Sequence, residues 1–177
     1  MSKKYKEVKM TKSLNVNVSA DALWEIYGPG FAKAGVWASA VDHSEGHGEG
    51  KFDGAVCDTR SCDLSAKGFS SVKERITHYD HANKTLSFDV EEGMPGFVIR
   101  ANNKTIITSS GEGKSVAELT VTMHMKPFMG FLMGGMLKKN LNTLIDSALD
   151  DLEVYAETGE PSDLKKARMR KLAAKAA

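Results

Sequence analysis

The sequence predicts an α+β domain in which a curved, seven-stranded antiparallel sheet wraps round one long C-terminal helix, with two short helices between the first and second strands. Three observations carry this. From Trp37 to Pro127 the chain holds only short strand-like runs separated by turn residues. None of the breaks is long enough for a crossover helix, so consecutive strands pair as antiparallel hairpins. After Pro127 the apolar period changes from two to three and four, and holds for about 30 residues.

The elements follow in order. Residues 8–18 alternate, with Leu14, Val16 and Val18 against Ser13, Asn15 and Asn17, which makes a strand with one buried face. Ser19 is a capping residue for a short helix over 20–27, which Gly28-Pro29-Gly30 ends. A second helical piece spans 31–36. Strands are expected over 38–44, 55–64, 72–79, 85–91, 97–109 and 115–125, each bounded by Gly, Asn, Asp or Ser. Pro127 suits the first position of a helix, and Gly159 with Pro161 supplies its stop. Leu137, Leu141, Leu144, Ile145, Ala148, Leu152 and Tyr155 form its apolar stripe.

At 177 residues and 19.2 kDa the chain has the size of one domain. It is read as a domain over 8–158 followed by a basic tail over 159–177. With 24 basic and 23 acidic side chains it lacks the field expected of a nucleic-acid binder. The tail is the exception, with six Lys/Arg against Asp163 from Pro161 to Ala177. It reads as a frayed helix or a disordered, solvated end, and is a candidate for weak contact with an anionic membrane surface. No apolar run approaches the roughly 20 residues of a membrane span, and the start lacks the features of a secretory signal. The expectation is a cytoplasmic protein, monomeric or homodimeric, in which the sequons at Asn83 and Asn103 stay unmodified. Cys57 and Cys62, on one extended strand, are too far apart for a disulfide.

The residues Ser19 to Trp24, Gly35-Val36-Trp37, Arg60, Glu74-Arg75-Ile76, Asp80, the Pro95 turn and Pro127 before the long helix form a spaced pattern over 10–155. In this pattern the chain resembles the polyketide cyclase/dehydrase branch of the START-like (SRPBCC) superfamily, which also holds the birch-pollen allergen and abscisic-acid receptor families. The resemblance implies the helix-grip fold and a cavity between sheet and helix. It departs from the pattern at Ala38, where the relatives usually have Pro, and in the last strand, where Val121 or Met123 replaces an aromatic and implies a softer cavity wall.

Strand parity, read without the resemblance, puts Glu74 and His78 on the face of Val72 and Ile76, and Asp58 and Arg60 on the face of Val56, Cys62 and Leu64. An acid and a base therefore point toward the helix from neighbouring strands. Inside, they must be paired, because an unpaired buried charge costs several kcal/mol. They are either a structural ion pair or a polar anchor for an otherwise apolar ligand. The resemblance implies that Glu74 lines the pocket. The expected lining is Arg60, Glu74, Ile76, His78, Phe88, Phe97, Ile99, Val121, Met123, Phe131, Gly134, Leu137, Leu141 and Ile145. Gly134 is on the inward stripe, where a glycine leaves space, and loops 65–71 and 92–97 correspond by order to the receptor relatives' gates.

Other chemistries find little support. His43 with His47 and His78 with His81 lack the spacing of a metal site on one face, and no metal or other cofactor is expected. There is no nucleophile elbow, Walker loop or dinucleotide glycine pattern. The leading expectation is binding of an apolar small molecule of lipid, polyketide or isoprenoid type, for carriage or sensing. The alternative is a cyclase/aromatase-like enzyme using Arg60 and Glu74 for proton transfer. A third reading, a protein-binding module, requires a filled core and an exposed apolar patch.

Overall fold

In a computed structural model, described over residues 5–64 and 70–176 without the side chains of 130, 131, 133, 134 and 176, the chain forms one seven-stranded antiparallel sheet. The strands are β1 (Lys6–Val16), β2 (Val41–His47), β3 (Thr59–Leu64), β4 (Ser71–Asp80), β5 (Thr85–Glu92), β6 (Val98–Gly111) and β7 (Lys114–Met125). Their order is β1-β7-β6-β5-β4-β3-β2. All links from β2 to β7 join neighbours, so only β1 pairs out of sequence, against β7. That is the expected meander, closed on one side by the first strand.

Between β1 and β2 lie α1 (Ala20–Tyr27) and α2 (Ala34–Trp37), the second entered through a 3-10 turn at Phe31–Lys33. The Ser19 hydroxyl accepts from the Ala22 N–H at 3.2 Å, which satisfies one of the four free donors at a helix start. Gly28 ends α1 with its N–H on the Trp24 carbonyl. The long helix α3 spans Pro127–Thr158 and is about 48 Å long at 1.5 Å per residue. Gly159 at φ 73° closes it, a left-handed conformation that glycine adopts without strain, and donates to the Tyr155 carbonyl at 2.9 Å.

The apolar core falls into two clusters. One surrounds α1 and the last turns of α3, with Leu23, Trp24, Phe31, Trp37, Ile76, Tyr79, Leu86, Phe88, Ile107 and Leu152 buried. The other lies under the middle of α3 and holds Met10, Ala101, Leu119, Val121, Met123, Ile145 and Leu149, with Leu137 and Leu141 half-buried against it. Leu144, expected on the inward stripe, is exposed, because the stripe that meets the sheet runs through 137, 141, 145, 149 and 152.

Three further expectations are corrected. The strand expected over 55–64 begins only at Thr59. Val56 is consequently exposed and Cys57 buried, the reverse of the alternation read from the sequence. Both cysteines are free. The basic segment is not a solvated end. Residues Asp163–Ala176 form helix α4, with Ser162 at its start accepting from the Lys165 N–H at 3.2 Å. Lys165 is 1% exposed and donates to the Val41 carbonyl at 2.6 Å, while Arg168 makes a two-toothed pair with Asp42. Asp151 of α3 accepts from the Ser39 N–H at 2.7 Å and from the Ser162 hydroxyl, joining α3, β2's approach and α4. Two of the tail's cations are thus part of the fold.

Candidate functional site

Adjacent registers on β3 and β4 bring Arg60 opposite Glu74. Arg60 Nε donates to Glu74 Oε2 at 2.5 Å, and both side chains are largely buried. Arg60 also donates through Nη1 to the Phe31 carbonyl at 2.6 Å. Its guanidinium lies 4.1 Å from the centre of the Phe31 ring and 5.1 Å from that of Phe88, so two aromatic faces receive the charge. Burial is the largest influence and would lower the Arg60 pKa, but the attraction of Glu74, Cys62 and Tyr27 and the hydrogen bond to Glu74 together outweigh it and hold the arginine above its usual value. The cation is permanent. It is also aimed: carboxylate on one side, carbonyl on the other, and rings across the plane.

Two further groups lie beside this pair: Cys62, which parity places on the face of Arg60, and Tyr27, which the sequence reading did not single out. Cys62, on the same face of β3, has its thiol 3.8 Å from Glu74 Oε2. Burial pushes that thiol up to about 11, with Arg60 opposing and the Glu74 charge adding to the rise, so it is inert as a nucleophile near neutral pH. Tyr27, the last residue of α1, is the second. Burial raises its phenol too, and Arg60, Glu74 and the Thr105 hydroxyl are all near enough to influence its charge. Thr105 Oγ1 is itself buried and reaches hydrogen-bond geometry with no group among the described residues. Spacing could have found Tyr27, which follows Leu23 by four residues on α1's inner face. Nothing in the sequence marks the Phe31 carbonyl.

The expected lining separates into two groups. Ile76 and Phe88 are buried in the first core cluster beside Arg60 and Glu74. Val121, Met123, Ile145, Leu137 and Leu141 meet in the second cluster, beneath α3. Phe97 is half-buried at the entry to β6, where its carbonyl accepts from the Lys126 N–H.

Two residues are not inside. His78 is exposed because the β4–β5 register slips between Ile76 and His78; this bulge turns His78 outward and brings Tyr79 in. Ile99 is exposed for the same kind of reason, a register shift between Val98 and Arg100 that leaves Ala101 as the inward residue. The side chain of Phe131 and the surroundings of Gly134 lie outside the described residues, as does most of the 65–71 loop. The other expected gate, 92–97, borders a pocket of about 130 Å³ formed with the start of β6 and lined in part by Met94, Pro95 and Val98. A larger groove of about 380 Å³ opens outside the sheet, between Ile26, Val36, Trp37, Val56 and Tyr155.

Among the described residues no group of three His, Cys, Asp or Glu side chains is placed to hold a metal ion, and no helix is long and apolar enough to cross a membrane. Beside the fixed ion pair, the described residues supply the Tyr27 phenol and two apolar surfaces.

Solved structures share this architecture. Norcoclaurine synthase from Thalictrum flavum aligns with a TM-score of 0.66 at 19% identity, over 85% of this chain and 96% of that one. A START superfamily protein from Mycobacterium smegmatis aligns with a TM-score of 0.68 at 16% identity, over 84% and 96%. Ara h 8.0201 aligns with a TM-score of 0.65 at 15% identity, over 85% and 98%. At these identities the likeness is one of fold, the helix-grip arrangement. No curated protein matches the sequence. The profile of the family described as polyketide cyclase / dehydrase and lipid transport matches residues 7–157, nearly the whole sheet and all but the end of α3, and the chain belongs to that family.

Proposed function

We propose that the protein binds an apolar small molecule of lipid, polyketide or isoprenoid type between the sheet and α3, for carriage or sensing, with Arg60 and Glu74 as its polar anchor. The observation that carries this reading is that the described side chains of α3 cover the second core cluster only in part. Val121, Met123 and Ala101 present a buried apolar floor, yet the helix above them contributes Leu137 and Leu141 only half-buried, while Phe128, Leu132 and Met136 turn to solvent. A floor of this kind stabilises an apolar guest at about 25 cal/mol per Å² removed from water. The methionine lets it adapt in shape.

Native mass spectrometry of freshly purified protein, compared with the denatured mass, is the test. A non-covalent excess mass that disappears in Val121→Trp, where the indole fills the floor, is the expected result. A clean mass, together with no binding of apolar fluorescent probes, overturns the proposal.

The family description supports a second reading, a cyclase or dehydrase in which the Arg60–Glu74 pair, with Tyr27 beside it, moves a proton. The two readings part at Glu74→Gln. An enzyme loses turnover with affinity nearly kept, whereas a carrier shows only the change in affinity.

A further inference from the structure

Phe128, Leu132 and Met136 are 73%, 60% and 56% exposed. Spaced by four, they form a single stripe along the first half of α3. Single exposed apolar side chains are ordinary; a stripe of three large ones is not. Ile99, 55% exposed, is at the same end of the sheet, and the Lys126 N–H bonded to the Phe97 carbonyl at 2.9 Å ties that strand's entry to the helix start.

Charge is one-sided here. Lys126, Lys138 and Lys139 are exposed, and no Asp or Glu occurs from Lys126 to Ile145. None of the three lysines forms an ion pair among the described residues. The nearby acids of β5 are already engaged, Glu91 with Arg75 and Glu92 with Lys73. Large apolar side chains with lysines at both ends and no acid match a helix that lies in the interface of a bilayer.

We propose that the first half of α3, with Ile99 beside it, is a docking surface for an anionic lipid bilayer. The lysine pattern selects this occupant over a second copy of the chain. A two-fold contact through the stripe sets like charges against each other, whereas anionic headgroups neutralise them. The surface is separate from the basic tail, two of whose cations, Lys165 and Arg168, are held by Val41 and Asp42. It is also independent of the ligand reading, since docking needs no guest in the interior.

The test is flotation of the full chain with phosphatidylcholine vesicles, with and without phosphatidylglycerol. Binding is expected only with the anionic lipid and to fall with salt. Lys138→Gln with Lys139→Gln should weaken it about twenty-five-fold, at about fivefold per basic residue near a charged surface. Leu132→Ser with Met136→Ser should weaken it as well, with thermal melting of both variants unchanged because every substituted side chain is exposed. Replacing Arg170, Lys171 and Lys175 by Gln should change binding less than twofold. No binding to anionic vesicles overturns the proposal, as does a loss that follows the tail variant instead of the α3 variants. A dimeric mass in solution that Leu132→Ser with Met136→Ser splits would assign the stripe to a second copy and overturn it equally.

Discussion

From Ile145 to the end of α3, the helix buries Ile145, Leu149, Asp151 and Leu152, and Asp151 is locked to Ser39 and Ser162. From Pro127 to Met136, the same helix turns Phe128, Leu132 and Met136 outward, and the next two turns bury Leu137 and Leu141 only in part. The later half is an anchor whose inward side chains are packed, with Asp150 and Val154 left at the surface. The other is a cover resting on an apolar floor. A helix can serve both ends because its backbone hydrogen bonds are internal, so its stability at one end does not require packing at the other. The contrast teaches that tight packing and an exposed apolar face can be given to different stretches of one element.

Four measurements break or sharpen that contrast. The largest effect belongs to the buried pair, which sits with the anchored cluster. Glu74→Ala leaves Arg60 charged and unpaired, and chemical denaturation should report a loss of about 3–5 kcal/mol. Replacing both partners, Arg60→Met with Glu74→Leu, should restore most of that stability. If ligand binding is also intact in the double variant, the pair is structural and the anchor role is lost.

Next comes the helix itself. Leu152→Ala should cost about 2–5 kcal/mol, as for a fully buried leucine, and Leu137→Ala clearly less, because part of its surface is already wet. Equal losses would show that the first half is packed as tightly as the second.

A smaller effect concerns α4. The Arg168 hydrogen bonds hold the Asp42 carboxyl below its ordinary value. A carboxyl lowered in the folded state contributes stability that is complete above its ordinary value of about 3.8 and is lost as pH falls through the folded value. Amide exchange in α4 should therefore rise selectively in acid, below about pH 4. Asp42→Asn should show the faster exchange already at neutral pH; if it does not, the Lys165–Val41 and Ser162–Asp151 contacts hold the helix without it.

The smallest effect is on the stripe: Leu132→Ser should alter stability by no more than about 0.5 kcal/mol, as surface changes do. A larger loss would mean that the exposed stripe is covered in solution.

Local chemistry accounts for much of what could be read in advance. Ser19 as a cap, Pro127 as a first helical residue and Gly159 as a left-handed stop act within one turn of themselves, and α1 and α3 begin and end where those residues say. The Arg60–Glu74 encounter was legible from parity, because β3 and β4 pair without slipping between them. Parity failed wherever a bulge intervened, at His78 and Ile99, since one extra residue reverses every side chain beyond it and its position depends on the partner strand.

What the sequence by itself determined is the α+β class, the meander and the two residues of the buried pair, all consequences of short-range periodicity and turn chemistry. Only the tertiary structure decided that the basic tail is a docked helix, that Tyr27 and the Phe31 carbonyl join the polar cluster, and that α3 buries Ile145, Leu149 and Leu152 while leaving Phe128, Leu132 and Met136 exposed. Those outcomes rest on contacts between residues such as Asp42 and Arg168, 126 positions apart, and no local pattern encodes which distant surface a helix face will meet.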